Sequence, residues 1–239
     1  MKITILTIFP EMFRSVLDSS ILGRAREQGL IEVECVDIRP FSDRKHKNTD
    51  DYPFGGGAGM VMLAQPIMDA MKSVCGENFK GRRIYMGPRG TTLTTRKARQ
   101  LAREEHLVLL CGHYEGVDQR ALDACIDEEI SIGDYILTGG ELAAMVLTDC
   151  VARFIPGVLG SGESAEEESF SDGLLEYPQY TRPRELKGME VPEVLLSGDH
   201  ARIRQWRRQE SLRVTKRFRP DLLEKAELTD KEKKMLEEL

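Results

Sequence analysis

Three glycines, Gly133, Gly139 and Gly140, stand between an apolar segment and a helix-forming segment. Because glycine lacks a Cβ atom, its backbone can adopt positive φ and can approach a flat ligand within hydrogen-bonding distance. Asp134 and Tyr135 add a carboxylate and a ring to the same turn. Such a turn could bind an adenine or a ribose through its peptide groups. Two glycines between a strand and a helix can equally form no more than a tight connection.

Three further glycine-containing loops occupy residues 54–60, 87–90 and 112–116. In an open α/β sheet, loops at the carboxyl ends of strands converge on the ligand crevice, so we expect three of the four loops to share one pocket. None of them matches G-x-G-x-x-G at a strand-to-helix turn, and no glycine is followed by Lys-Ser or Lys-Thr. The standard dinucleotide and P-loop nucleotide sites are therefore not indicated.

Other side chains argue against several further classes of site. The four histidines lack the spacing of a zinc pair, and no G-x-S-x-G elbow presents a nucleophilic serine. The five cysteines are odd in number and widely spaced, which is typical of free thiols in a reducing cytosol. The apolar run at residues 3–9 is too short for a membrane span. We expect a cytoplasmic protein with no membrane partner.

The elements that position these loops follow from an alternation of apolar strands and amphipathic helices over residues 1–160. Strands are predicted at residues 3–9, 33–38, 83–86, 107–111 and 129–132. Helices are predicted after Pro10, after Pro66, after Thr94 or Thr95, over 121–125 and over 140–154. This alternation is typical of an α/β fold whose mainly parallel sheet is covered by helices on both faces.

The chain changes character after residue 160. Residues 161–173 combine glycine and serine with acidic residues and have no apolar period, which predicts a flexible linker between domains. Residues 174–239 contain no convincing strand and several helix-like stretches. They are predicted to form a small all-α domain.

The second domain carries an uneven charge, although the whole chain has a net charge of -6. Residues 202–219 hold eight basic side chains against Glu210 alone, interleaved with Trp206, Leu212 and Phe218. A cationic helix with aromatic residues suits a phosphate backbone and stacked bases. The alternative is a solvated helix whose aromatic side chains pack inward.

Four motifs, in a fixed order, carry a resemblance to a known family. They are DYPFGGGAGMVM at 51–62, CGHYEG at 111–116, SIGDYILTGGE at 131–141 and YTRP at 180–183. With them the chain resembles the bacterial tRNA (guanine-N1-)-methyltransferases of the trefoil-knotted SPOUT superfamily, from Ile5 to about Leu223. The resemblance implies a deep knot near the end of the first domain, an obligate homodimer, and methyl transfer from S-adenosylmethionine to N1 of guanine at tRNA position 37.

The resemblance also implies which residues bind the methyl donor, although a role in a turn or in the core is an alternative for each one. Residues 87–90 read Gly-Pro-Arg-Gly where relatives usually carry Ser-Pro-Gln-Gly, which leaves open any side-chain contact of Gly87 or Arg89. The residues that match cofactor-binding positions are Tyr85, Met86, Pro88, Gly112, Tyr114, Glu115, Ser131, Ile132, Gly133, Tyr135, Leu137, Gly139 and Gly140.

Methylation of guanine at N1 requires removal of the N1 proton, and a nearby carboxylate is the simplest base. The family places an aspartate before Ser-Phe in the linker and an arginine at the end of the last knot helix. The matching residues here are Glu168 and Arg153. We predict that Glu168 takes the proton, with Glu167 as the alternative, and that Arg153 stabilises negative charge on guanine O6.

Other interpretations of these residues stay open. Without the resemblance, Glu168 is a solvated linker acid, and Arg153 could instead clamp a phosphate or pair with the linker. Residues 44–47 form a basic loop that could also meet tRNA. Mg²⁺ dependence is reported for the family, and Glu115 with Glu168 could recruit a hydrated ion, although no ligand spacing demands one.

Two other activities fit the chain. A different SPOUT enzyme that methylates the ribose 2′-hydroxyl needs no base at N1, and a non-catalytic RNA-binding protein would use residues 202–219 for affinity alone. If the prediction for guanine N1 holds, we expect the linker to order when tRNA binds and thereby to position the base.

Overall fold

The computed structural model describes residues 1–160 and 168–238 of the chain. The chain divides into two compact units, Met1–Ser161 and Gly162–Leu239, each of which is described by itself. Most of the predicted linker, and with it the alternative base Glu167, lies outside the described residues.

The first unit is built on a five-stranded sheet in the order β2-β1-β6-β5-β7, with every pair parallel. A separate ribbon pairs β3 with β4 in antiparallel register. Four of the five main strands lie within two residues of the predicted runs, and the parallel α/β sheet is confirmed. The fifth, predicted at 83–86, continues to Thr92 and takes in the predicted loop at 87–90. The strands are β1 (Lys2–Thr7), β2 (Glu32–Asp37), β3 (Asp50–Asp51), β4 (Val61–Met62), β5 (Arg82–Thr92), β6 (His106–Cys111) and β7 (Glu128–Ser131).

Helices connect the strands of this sheet. The helix predicted after Pro10 forms a single 3-10 turn, Pro10–Phe13, before a short α-helix. Thr94 and Asp118 cap the helices that follow them, since each side chain accepts a hydrogen bond from a backbone N–H of the first turn. The helices are α1 (Arg14–Leu17), α2 (Ser20–Glu27), α3 (Ala64–Cys75), α4 (Thr95–Leu101), α5 (Gln119–Cys125) and α6 (Glu141–Ala152).

The core lies in two layers, one on each face of the sheet. Along β6, Leu107 and Leu109 pack in a cluster with α2, α4 and α6, whereas Val108 and Leu110 pack in a cluster with α3 and α5. Because successive strand residues point to opposite faces, an unbroken apolar strand needs helices on both sides, as predicted. All five cysteines are free thiols, which also agrees with the prediction.

The second unit is mostly helical but contains a short antiparallel hairpin, so the expectation of a unit without strands is wrong there. Lys187 and Gly188 form its turn with φ of 55° and 79°, a left-handed geometry that suits a two-residue hairpin. Strands of two residues are too short for an alternating pattern to reveal. The elements are β8 (Glu185–Leu186), β9 (Met189–Glu190), α7 (Glu193–Leu196), α8 (His200–Phe218), α9 (Pro220–Leu223) and α10 (Asp230–Glu238).

Within residues 1–160 and 168–238, the structure contains no helix with the length and apolar character needed to cross a membrane.

Candidate active site

A pocket opens in the first unit at the carboxyl ends of β6 and β7, beside an irregular part of β5. All thirteen residues predicted to bind the methyl donor line it. The structure thus brings together three segments that are far apart in sequence, the first containing Tyr85 and the last containing Gly140. Residues that the sequence prediction did not include are Gly87, His113, Gly116, Ile130, Ile136, Thr138 and Ala143.

The irregular part of β5 forms one wall. Its pairing with β7 shifts register between Met86 and Thr91, so the intervening residues leave the regular ladder. The Arg89 guanidinium lies 3.3 Å from the Glu129 carboxylate, and the Arg89 backbone N–H donates to the same carboxylate at 3.0 Å. A Cβ at Gly87 would collide with that carboxylate. Gly87 and Arg89 therefore fit together around Glu129, and the Arg89 side chain does not line the pocket.

The glycines of the loop between β7 and α6 serve two different purposes. Gly133 has φ of 147°, the left-handed conformation that the sequence predicted. Gly140 has φ of -80°, and Gly139 also lies outside the left-handed region, so that prediction is wrong for this pair. A Cβ at Gly140 would lie 2.8 Å from the Cys111 Cα, and the Gly140 N–H donates to the Gly112 carbonyl at 2.8 Å. Gly140 is needed because two backbones pass each other there.

A buried carboxylate fixes the start of α6 beside the pocket. Glu141 is 2% exposed, and its carboxylate accepts a hydrogen bond from the Thr7 hydroxyl at 2.8 Å. An acidic side chain in the first turn also interacts favourably with the helix dipole. The end of β1 thereby holds the turn that lines the pocket, a contact between residues far apart in the chain.

The pocket also presents two polar rings. Burial, and then the nearby Glu129 carboxylate, raise the pKa of the Tyr85 phenol, so this wall stays uncharged near neutrality. His113 packs edge-on against Phe9, with 5.0 Å between ring centroids. Its Nδ1 is buried and has no hydrogen-bond partner among the described residues. His113 is the one histidine that lies inside one of the four glycine-containing loops that the sequence singled out, but it was not among the residues predicted to bind the donor.

The two predicted catalytic residues belong to different units. Arg153 directly follows α6, where its backbone N–H donates to the Asp149 carbonyl at 3.2 Å. Glu168 belongs to the second unit, where it lines a pocket together with Tyr177, Arg204 and Arg207. Glu168 is partly exposed, so a ligand in that pocket can reach its carboxylate.

The cationic helix α8 is less available than its sequence indicated. Arg208 contacts the Asp172 and Glu232 carboxylates at 2.5 and 2.6 Å, and Arg213 contacts Glu210 at 2.7 Å. Three other cations are also held within the unit: Arg207 lies 4.7 Å from the Tyr177 ring centroid, Arg219 pairs with Asp221 at 2.7 Å, and Lys216 donates to the Leu236 carbonyl at 2.5 Å.

Comparison with known proteins gives consistent matches over the whole chain. The family described as tRNA (Guanine-1)-methyltransferase TrmD matches residues 1–225. A protein of Moorella thermoacetica named tRNA (guanine-N(1)-)-methyltransferase is 56% identical, with 100% of this chain and 96% of the relative covered. Proteins of the same name are 58% identical in Ruminiclostridium cellulolyticum, covering 94% and 97%, and 56% identical in Geobacillus kaustophilus, covering 100% and 98%.

Proposed function

This chain belongs to the tRNA (guanine-N1-)-methyltransferase family, and we propose that it acts on the guanine at tRNA position 37, next to the anticodon, with S-adenosylmethionine as methyl donor. Membership of the family makes it an enzyme that methylates tRNA guanine at N1. The observation that carries the proposal for the donor is the gathering of all thirteen predicted residues around one pocket.

The pocket has the chemical character that this donor requires. Glycine-rich walls leave peptide N–H and C=O groups exposed, and these groups can bind adenine edges and ribose hydroxyls. Ile132 and Leu137 provide apolar surface for the adenine ring, and Tyr85 adds an uncharged phenol. S-adenosylmethionine, when bound, supplies an electrophilic methyl group.

We propose that Glu168 removes the N1 proton of guanine and that Arg153 stabilises the negative charge that develops on O6. The guanine N1 lone pair is free to attack only after the proton has left, so a carboxylate base accelerates the step. The partial exposure of Glu168 in its pocket supports this role, as does its position before Ser169 and Phe170. The guanidinium of Arg153 keeps its charge at any physiological pH, which suits stabilisation of an anion.

Several features of the assembly are likewise proposed. We assign residues 1–160 to a knotted donor-binding domain, 161–173 to a linker and 174–239 to a tRNA-binding domain of a cytoplasmic enzyme. The close approach of Gly140 to Cys111 supports a knot, because the chain entering α6 passes beside the end of β6. Leu142 and Val146 are exposed one turn apart on α6, which supports packing against a second copy in a homodimer.

We assign no step to Mg²⁺. Among the described residues, no group of three histidine, cysteine, aspartate or glutamate side chains is arranged to hold a metal ion.

A radiolabelled methyl-transfer assay on unmodified tRNA, followed by nucleoside analysis, tests the proposal. We expect N1-methylguanosine at position 37 and no product from tRNA that lacks guanine there. A 2′-O-methylated nucleoside would identify a different SPOUT activity. RNA binding without methyl transfer would identify a non-catalytic protein.

A further inference from the structure

The loop that connects β3 and β4 contains two aromatic side chains that are exposed to solvent. Asp50 pairs with Met62 and Asp51 with Val61, and the intervening residues form an exposed loop. Phe54 is 100% exposed and Tyr52 is 79% exposed. Single exposed apolar residues are common, but two aromatic rings on one short loop mark a surface that contacts something else.

The residues around the rings keep the loop in this form. Gly55, Gly56 and Gly57 have φ of 86°, 78° and 128°, and a Cβ at any of the three would meet nothing within 4 Å. These glycines are therefore required by the backbone conformation and not by packing. Pro53 restricts Tyr52 to extended conformations, so the two rings flank a stiff residue and precede a turn that only glycine adopts easily.

The ribbon is joined to the wall of the donor pocket. The Glu115 N–H donates to the Met60 carbonyl at 3.0 Å, and the Met62 N–H donates to the Gly116 carbonyl at 2.9 Å. Glu115 and Gly116 both line the pocket. A Cβ at Gly59 would collide with the Glu115 side chain, so the end of the loop packs directly on the pocket wall. The ribbon therefore lies directly beside the pocket wall.

We propose that Phe54 and Tyr52 form a stacking platform for an unpaired base of the tRNA, next to the guanine that is methylated. The proposal rests on the proposed function, because it assumes that the acceptor guanine approaches the donor pocket. Proteins bind single-stranded RNA by stacking unpaired bases on aromatic side chains, with nearby cations for the phosphates. Lys45 is exposed in the segment that precedes β3 and can provide such a cation.

The experiment compares three substitutions at one position in the full-length protein. Equilibrium binding of unmodified tRNA and calorimetric titration with S-adenosylmethionine are measured for wild type, Phe54→Ala, Phe54→Leu and Phe54→Trp. We expect Phe54→Ala to weaken tRNA binding about tenfold, the order of one lost base–aromatic contact. Phe54→Leu should lose as much, since it keeps apolar area without a flat ring. Phe54→Trp should bind tRNA as wild type does.

Folding and donor binding serve as internal controls. Because Phe54 is fully exposed, we expect all three variants to unfold at the wild-type temperature and to bind S-adenosylmethionine with unchanged affinity. Wild-type tRNA affinity in Phe54→Ala or in Phe54→Leu would overturn the platform. A change of sedimentation in Phe54→Ala would assign the rings to contact with a second copy of the chain and would also overturn it.

The outcome separates this proposal from the proposed function. A wild-type protein that methylates guanine 37 while Phe54→Ala binds tRNA normally would refute the platform alone. A wild-type protein that forms no N1-methylguanosine at position 37 would refute the proposed function, whatever the variants do.

Discussion

The pocket of the first unit and helix α8 of the second unit were both singled out from sequence, but the structure treats their residues differently. In the pocket, all thirteen predicted residues line one cavity. Of the eight basic side chains at residues 202–219 that suggested an RNA-binding face, at least five are engaged by other residues of the unit. The residues inferred from the family resemblance therefore lie together, whereas most of the basic side chains are paired within their own unit.

The physical difference lies in what each region uses. The pocket is lined by several glycines that expose backbone groups, whose positions are set by the strands and turns that the sequence predicts. Helix α8 uses long side chains that can turn toward any acid within reach. Arg208 is paired with Asp172 and Glu232, which lie 36 and 24 residues away in sequence. No pattern within α8 itself therefore indicates that this arginine is already paired.

The largest effect is expected at Glu168, the proposed base. Glu168→Gln should lower kcat by at least about 100-fold, because a general base contributes about 10²–10⁴-fold. S-adenosylmethionine affinity, measured by calorimetry, should stay unchanged. Glu176→Gln, an acid of the same pocket, is the matched control and should keep near-wild-type turnover. Full activity in Glu168→Gln would assign the base to another residue.

The next effect tests the backbone crossing in the pocket. Gly140→Ala forces a Cβ to within 2.8 Å of the Cys111 Cα, so we expect a loss of about 1–3 kcal/mol in the free energy of unfolding. The distorted loop should also bind S-adenosylmethionine about tenfold more weakly. Gly160→Ala adds a Cβ in open space and should change neither quantity. Equal stability and equal donor affinity of the two variants would show that the close approach of Gly140 to Cys111 does not require glycine.

A smaller effect distinguishes an available cation from an engaged one on α8. Arg204 is exposed and forms no ion pair within residues 1–160 or 168–238. Arg204→Ala should weaken tRNA binding and reduce the slope of log K against log salt by about 1. Arg208→Ala should leave that slope nearly unchanged but lower the unfolding temperature, because Asp172 and Glu232 lose their partner. Identical salt slopes for both variants would contradict the distinction.

The smallest effect concerns Glu232, one of the two acids that pair with Arg208. Burial opposes ionisation of Glu232, but hydrogen bonds from Arg208 and Thr229 outweigh burial and lower the pKa of this carboxyl. A lowered pKa in the folded state stabilises the protein above the ordinary glutamate pKa, and this stabilisation is lost as the pH falls through the folded value. Glu232→Gln should therefore destabilise the protein near neutrality by up to about 1 kcal/mol and have no effect in strong acid.

The variant Glu232→Gln also tests whether pairing keeps Arg208 away from RNA. If Glu232 withholds Arg208 from phosphates, Glu232→Gln should tighten tRNA binding about twofold, as measured at fixed salt. An unchanged affinity would mean that Asp172 alone keeps Arg208 engaged.

Much of the first unit was predictable because its signals are local. The strands predicted at 107–111 and 129–132 agree with β6 and β7 to within one residue. In β6, burial on both faces of the sheet leaves a continuous apolar run. The hairpin at β8 and β9 was missed because two-residue strands leave no such run. His113 was not among the residues predicted to bind the donor, and only the packing of distant segments buries its Nδ1.

The sequence by itself determined the order of strands and helices, the loops that meet at the sheet edge, and the absence of side chains at their glycines. Those properties depend on periodicity and on residue type, which are features of short sequence segments. Tertiary structure alone decided that Gly140 accommodates a crossing of backbones, that Arg89 fits against Glu129, and which arginines of α8 stay available. Each of these depends on the distance between residues far apart in the chain, which no local pattern encodes.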